Sequence, residues 1–302
     1  MHIPDGLLSV PVWAGLSLVS APAVAAAARR AQQQTEACRV PLLGMTGAFV
    51  FAAQMVSFPV GGGTSAHLVG GVLLALTLGP AAAVVVMTAI LFVQALVFQD
   101  GGLLALGANV FNMALAGVAA GYLPCAIWGA GRWRAGAILV GGMLSVGVSG
   151  VLALAELTLS GVRIPATLLG VSAALFLING VLEGVITLAL LRGVKRIDAG
   201  LLTRTTAQSG AGWTVIGLLA VLVALAAALF ASQAPDILES LTEKTGVASR
   251  ARALLWSPLA DYQTWWLGGS WISKLAAGLV GLVLIYLACL GIGKLSARFR
   301  SR

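Results

Sequence analysis

Charged residues are scarce in this sequence: only 9% of its 302 residues are Asp, Glu, Lys or Arg, whereas 59% are hydrophobic. Soluble domains carry about 25% charged residues, so this chain cannot cover a water-exposed surface with polar groups. Its apolar runs are repeatedly about 20 residues long, which is the length of a helix that crosses a bilayer. The runs are continuous rather than alternating, which argues against a β-barrel and predicts an all-α, polytopic membrane protein.

Cysteine is rarer still, with three residues in the chain. Cys38, Cys125 and Cys289 lie far apart and form no CxxC pair, so we expect neither a disulfide nor a cysteine-bound metal. The formal charge of +8 does not indicate nucleic acid, because the basic residues fall in short clusters typical of cytoplasmic membrane loops. The sequence contains neither a GxxxxGK[ST] loop nor an HExxH motif. We therefore expect neither ATP hydrolysis nor zinc-dependent hydrolysis by this chain, and we predict that it is not an enzyme.

A cleaved signal peptide is not expected either. The opening MHIPDG carries no lysine or arginine, and the first apolar run ends at Arg29 and Arg30 rather than at a cleavage site. We therefore expect the amine of Met1 to remain in the mature protein.

Nine apolar segments are predicted to be helical. They lie at 9–28, 41–60, 68–79, 81–98, 104–127, 135–158, 165–191, 212–231 and 272–291. With the amino terminus outside, thirteen of the 18 lysine and arginine residues fall on the cytoplasmic side, as the positive-inside rule requires. The predicted location is therefore a prokaryotic cytoplasmic membrane, with the amino terminus on the extracytoplasmic side.

A polar, basic segment at 192–211 divides the chain. The interpretation is a membrane domain of about seven helices at 1–200, followed at 201–302 by a two-helix hairpin with an outer loop.

The chain has only two histidines, His2 and His67, and both are predicted to lie at the outer membrane surface. A free amino terminus, the next backbone amide nitrogen and the Nδ1 atom of a histidine at position 2 can chelate one ion in a plane. A single further imidazole, here that of His67, can fill the fourth position. Four nitrogens in a square plane suit Ni(II) or Cu(II), whereas zinc prefers a tetrahedron. Spacing alone leaves an alternative equally open: an incidental terminal His2 and an interfacial His67.

Polar residues that are candidates for orienting the loops around such a metal are Asp5, Ser65, Asn109 and Asn112, together with Gln99 and Asp100 near the predicted outer surface. Asp5 is also expected to cap the first helix through its carboxylate. Glu183 falls inside the seventh segment, and an intramembrane carboxylate is a functional candidate by default.

Three stretches carry a family resemblance. MHIPDG at the start, GGGTSAHLVGG around His67 and ALGANVFNMALAG resemble the nickel/cobalt substrate-binding (S) components of energy-coupling-factor transporters, the CbiM/NikM family. PDILE and SPLADY resemble PDGLE-like segments of the accessory N component (NikN/CbiN-like), although Ile237 stands where a glycine is usual.

The resemblance implies an S-component fold and a metal held by the amine of Met1, by the amide and imidazole of His2, and by His67. It also implies partners, namely a transmembrane coupling (T) subunit and cytoplasmic ATPase subunits, with Ni2+ or Co2+ as the transported substrate. Two other functions are alternatives: a proton-coupled secondary metal transporter that uses Glu183, and an intramembrane metalloenzyme.

Overall fold

The computed structural model of the protein describes residues 1–34, 40–197 and 210–300, and helices dominate it. Cys38 and most of the predicted linker at 192–211 lie outside the described residues. The elements in chain order are α1 (Val10–Gln34), α2 (Val40–Gln54), β1 (Ser57–Gly61), β2 (Thr64–His67), α3 (Gly71–Leu78), α4 (Pro80–Val93), α5 (Leu106–Asn109), α6 (Val118–Trp128), α7 (Arg134–Leu159), α8 (Ala166–Ile197), α9 (Gly210–Phe230), α10 (Ile237–Lys244) and α11 (Trp271–Arg300).

Six stretches of the described residues are long and apolar enough to cross a membrane, which confirms the multi-pass, all-α prediction. They are Val10–Gln34, Pro80–Phe98, Leu106–Trp128, Gly131–Leu159, Ala166–Arg196 and Trp271–Gly293. Two shorter apolar helices, Val40–Gln54 and Val215–Phe230, accompany them. Two of these spans contain π-helical turns, at Gln94–Phe98 and Val110–Gly117.

The predicted segment 41–60 is wrong as a single helix. Its helix ends at Gln54, and β1 pairs antiparallel with β2, so that Ser57 lies opposite His67. Gly61, Gly62 and Gly63 form the turn with φ values of 113°, 60° and 74°, which side chains rarely tolerate. This hairpin places His67 at the end of β2, directly before α3.

Helix α2 lies at the centre of the molecule. Twelve of its fifteen residues are buried, and both α9 and α11 pack against it. Glycines allow the close approach: a Cβ on Gly47 would lie 3.2 Å from the Sγ of Cys289, and one on Gly44 would lie 2.6 Å from the ring of Tyr286. Residues 210–300, called the C-terminal unit below, are therefore packed into the bundle rather than appended to its surface.

Helices α7 and α8 also meet through glycines. A Cβ on Gly180 would lie 2.7 Å from the Cα of Met143, and one on Gly184 would lie 2.8 Å from the Cα of Leu139. This small-xxx-small spacing lets two membrane helices touch through their backbones. The contact places Glu183, which lies between the two glycines, inside the bundle.

We expect Gly184→Leu to lower the melting temperature of the detergent-purified protein, because its side chain would meet the α7 backbone. Overpacking of this kind costs about 1–3 kcal/mol. The matched control is Gly170→Leu on the same helix, since a Cβ at Gly170 has no other atom within 4 Å. Equal thermal stability of the two variants would contradict this account of the α7–α8 contact.

Candidate metal centre

The amino terminus is buried inside the protein. Met1 is 6% exposed, His2 is 8% exposed and Ile3 is fully buried, whereas chain termini are usually exposed and poorly ordered. The side-chain amide of Asn109 holds this segment: its Oδ1 accepts from the N–H of Ile3 at 2.9 Å, and its Nδ2 donates to the carbonyl of Ile3 at 3.0 Å. Asn109 thus satisfies two backbone groups that burial would otherwise leave unpaired.

Asp5 fixes the same amino-terminal segment at its other end. Its carboxylate accepts from the backbone N–H groups of Leu103, Leu104 and Ala105 at 2.8–3.0 Å. The prediction that Asp5 caps the first helix is therefore wrong. The carboxylate instead binds the turn that leads into α5, because the chain folds back and brings residues 103–105 beside it.

The amine of Met1 has two polar neighbours. It pairs with the carboxylate of Asp236, and its nitrogen lies 3.4 Å from the Nε2 atom of His67. Asp236 belongs to the C-terminal unit, where it caps α10 in a capping box with Glu239. Burial opposes ionisation of Asp236, but the charge of the amine and its hydrogen bond outweigh that effect and lower the pKa of the carboxyl.

The two imidazole rings lie side by side. Their centroids are 5.7 Å apart and their planes differ by 1°. The Nδ1 of His2 lies 2.9 Å from an oxygen of Asp100, whereas the Nε2 of His2 is buried without a hydrogen-bond partner. Burial raises the pKa of Asp100, but the neighbouring His2 and its hydrogen bond reverse the direction and lower it.

His67 is neutral and offers a lone pair. Its Nδ1 lies 3.0 Å from the carbonyl of Leu68, which can only accept a hydrogen bond, so Nδ1 carries the proton. Nε2 is therefore unprotonated, and its lone pair can coordinate a metal. Burial lowers the pKa of His67 to about 4, with a smaller contribution from the charge of the amine. The atom that faces the Met1 amine is therefore the atom that can bind a metal.

The segment after His67 is held from within the membrane domain. Glu183 on α8 accepts from the backbone N–H groups of Val69 and Gly70 at 2.7 and 2.8 Å. Gln54 on α2 donates to the carbonyl of Val69 at 2.7 Å. Sequence reasoning singled out Glu183 for coupling, but its two oxygens bind the backbone beside a candidate ligand.

Two further predicted residues, Ser65 and Asn112, lie in different places. Ser65 joins the hairpin to the C-terminal unit: its hydroxyl donates to the carbonyl of Ala234 at 2.7 Å and its N–H to that of Pro235 at 2.8 Å. Asn112 donates to Glu156 within the bundle at 2.9 Å and makes no hydrogen bond to either histidine. Sequence reasoning missed Asp236 as a neighbour of the site, although the PDILE stretch that contains it was the available signal.

A cavity of about 600 Å³ lies beside the two histidines, and its walls include His2, His67, Asp100, Asp236 and Tyr262. In the described part of the chain, no group of three or more His, Cys, Asp or Glu side chains is arranged to hold a metal. A metal at this position would therefore need nitrogens from the amino terminus and the backbone in addition to the imidazoles.

The fold and the pocket define a multi-pass membrane protein with a nitrogen-rich site at a buried chain end. The chain belongs to the CbiM family, described as a cobalt uptake substrate-specific transmembrane region, whose model matches residues 2–201. A PDGLE domain matches residues 211–298. This is a family of metal-uptake proteins and not of enzymes, which excludes the alternative of an intramembrane metalloenzyme.

Individual relatives agree with the family. A probable fused nickel transport protein LarMN of Lactiplantibacillus plantarum is 34% identical over 217 residues, which cover 65% of each chain. The cobalt transport protein CbiM of Acetoanaerobium sticklandii is 37% identical over 125 residues, 40% of this chain and 52% of that protein. The chain thus spans less than two thirds of these relatives.

A solved structure shares the fold. The crystal structure of a truncated transition metal transporter is 32% identical, with a TM-score of 0.57 over 65% of this chain and 99% of that one.

We expect Asn109→Ala to expose the amino terminus, because two buried backbone groups of Ile3 lose their partner at about 1–3 kcal/mol. The rate at which an acylating reagent modifies the Met1 amine, followed by mass spectrometry, measures this exposure. Asn179→Ala is the control, since Asn179 is equally buried but its Oδ1 has no hydrogen-bond partner. A modification rate no faster in Asn109→Ala than in the control would refute this role for Asn109.

Proposed function

We propose that this chain is the specificity subunit of an energy-coupling-factor importer that captures Ni2+ at the outer surface of the cytoplasmic membrane. One observation carries the proposal: the buried Met1 amine lies 3.4 Å from the Nε2 of His67, and the ring of His2 stacks beside that of His67 with centroids 5.7 Å apart. With the amide nitrogen of His2, these groups are the proposed donors of a planar, four-nitrogen site.

The proposed ligands are the amine of Met1, the amide nitrogen and Nδ1 of His2, and the Nε2 of His67. His67 supports its role, because its free lone pair already points toward the amine. Asp5 and Asn109 support the role of the amino terminus, since together they hold residues 3 and 5 by five hydrogen bonds.

Nickel is favoured over cobalt by the donor set. Four nitrogens in a plane suit Ni(II), and the small number of oxygen donors argues against magnesium and calcium. Relatives are named for nickel as well as for cobalt, so Co2+ is the second candidate substrate. Competition between the two ions at one purified site decides between them.

The chain would work in an assembly. The sequence lacks a phosphate-binding loop of its own, which supports separate ATPase subunits and a T subunit as partners. We further propose two functional units, 1–200 for metal binding and 201–302 as an N-component-like unit. The distribution of lysine and arginine supports an extracytoplasmic amino terminus.

We expect His2→Ala and His67→Ala each to abolish high-affinity Ni2+ binding in titration calorimetry, because each removes a ligand from a four-coordinate site. One extra residue before Met1 should have the same effect, since it displaces the amine from the chelate. The same residue added after Arg302 is the matched control and should leave the affinity unchanged. Unchanged Ni2+ affinity in the chain that is extended at its amino terminus would contradict the chelate model.

Glu183 supports the importer over the proton-coupled carrier. Both of its oxygens already accept backbone N–H groups beside His67, so the carboxylate acts as a cap for that segment. We expect Glu183→Ala to weaken Ni2+ binding by about tenfold or more, the usual effect of removing a group that orients a ligand. Calorimetry on the purified protein measures it.

Glu156→Ala is the control, because Glu156 is also buried but pairs with Asn112 away from His67. Its nickel affinity should equal that of the unmodified chain. Uptake that runs without ATPase subunits, follows a proton gradient and disappears in Glu183→Gln would replace the importer with the proton-coupled carrier.

A further inference from the structure

The C-terminal unit supplies much of the pocket wall, and two of its side chains, those of Asp236 and Tyr262, are linked by polar contacts to the candidate ligands. Asp236 pairs with the Met1 amine. Tyr262 contacts no candidate ligand, yet its hydroxyl donates to Asp100 at 2.6 Å, and the other oxygen of Asp100 lies 2.9 Å from the Nδ1 of His2. A chain of two hydrogen bonds therefore joins the C-terminal unit to His2.

Tyr262 is held tightly from the membrane side. Its ring stacks on Phe98 with centroids 4.7 Å apart and planes 13° apart, and the ring of Phe51 lies 6.1 Å away. Its hydroxyl also accepts from the Nε2 of Gln94 at 3.3 Å. With both bonds of the hydroxyl engaged, the group has one orientation, toward Asp100.

The backbone around Tyr262 is unusual. Asp261 and Tyr262 have φ values of 53° and 57°, in the left-handed region that residues other than glycine rarely occupy. Such strain persists only where surrounding contacts impose it, and it concentrates at functional positions. The adjoining loop supplies these contacts, since the hydroxyl of Ser257 donates to the carbonyl of Val97 and Gln99 donates to the carbonyl of Leu255.

The ring of His2 has one nitrogen without a partner. Its Nε2 is buried and makes no hydrogen bond, while Nδ1 is engaged by Asp100. A metal-bound histidine almost always donates its second N–H to a carboxylate, a backbone carbonyl or a water, and this bond sets the ring orientation. Asp100 lies beside Nδ1, the proposed ligand atom, so the ring would have to turn for Nδ1 to bind a metal, and Nε2 would then carry the proton that Asp100 can accept.

We propose that Tyr262 is a positioning residue for metal capture, which orients Asp100 and through it the imidazole of His2. This inference rests on the proposed function, because it assumes that His2 is a ligand. It assigns a task to the C-terminal unit: without Tyr262, the carboxylate that sets the His2 ring loses the donor that holds its second oxygen.

The test is a double-mutant cycle on the full chain with Ni2+ as the probe. Tyr262→Phe removes the hydroxyl and keeps the ring that stacks on Phe98. We expect it to weaken Ni2+ binding about tenfold in titration calorimetry. Because Tyr262 acts through Asp100, the double variant with Asp100→Asn should bind no more weakly than Asp100→Asn alone.

Tyr286→Phe is the matched control, since Tyr286 belongs to the same unit but packs on Gly44 of α2; its affinity should not change. Unchanged affinity in Tyr262→Phe overturns the inference and leaves the proposed function standing. Additive losses in the double variant also overturn it, because the hydroxyl would then act by a route that bypasses Asp100. Failure of the unmodified chain to bind Ni2+ overturns both the inference and the proposed function.

Discussion

The structure depends on a buried chain end. An amine and backbone amides taken out of water cost several kcal/mol when they lack partners, and the amine of Met1, the backbone of Ile3 and the carboxylate of Asp5 all have them. Asn109 satisfies Ile3, Asp5 binds three amides of the turn before α5, and Asp236 pairs with the amine. These partners come from distant parts of the sequence, so burying the chain end brings distant segments together around it.

Hydrophobic runs were sufficient to predict most of the fold. The segment predicted at 135–158 is the helix Arg134–Leu159. Helices that cross a bilayer need long apolar runs, and such runs can be read directly from the sequence. The β-hairpin was not predictable in the same way, since Ser57–Gly61 continues the apolar run of α2. Its conformation follows from three glycines in the left-handed region, which hydropathy does not register.

The site was predictable where its chemistry is local. The amine and His2 are adjacent, and their chelating geometry follows from chain order alone. Asp236 and Tyr262 reach this chain end only through tertiary packing, so no spacing rule could place them there, whereas Asp100 was expected near the metal from its position at the end of a predicted segment. Glu183 was recognised as exceptional because carboxylates are rare in membranes, but its role depends on the amides of Val69 and Gly70, 113 and more residues away.

The glycine-lined contacts of α2 with α9 and α11 imply that the two halves of the chain recognise each other by surface fit. A covalent connection between such halves raises their effective concentration to the millimolar range, so a modest interface becomes saturated. Halves made as separate polypeptides would need the same contacts to hold with no help from the tether. In a fused chain, selection for tight contacts at that interface would therefore be weaker than between separate polypeptides.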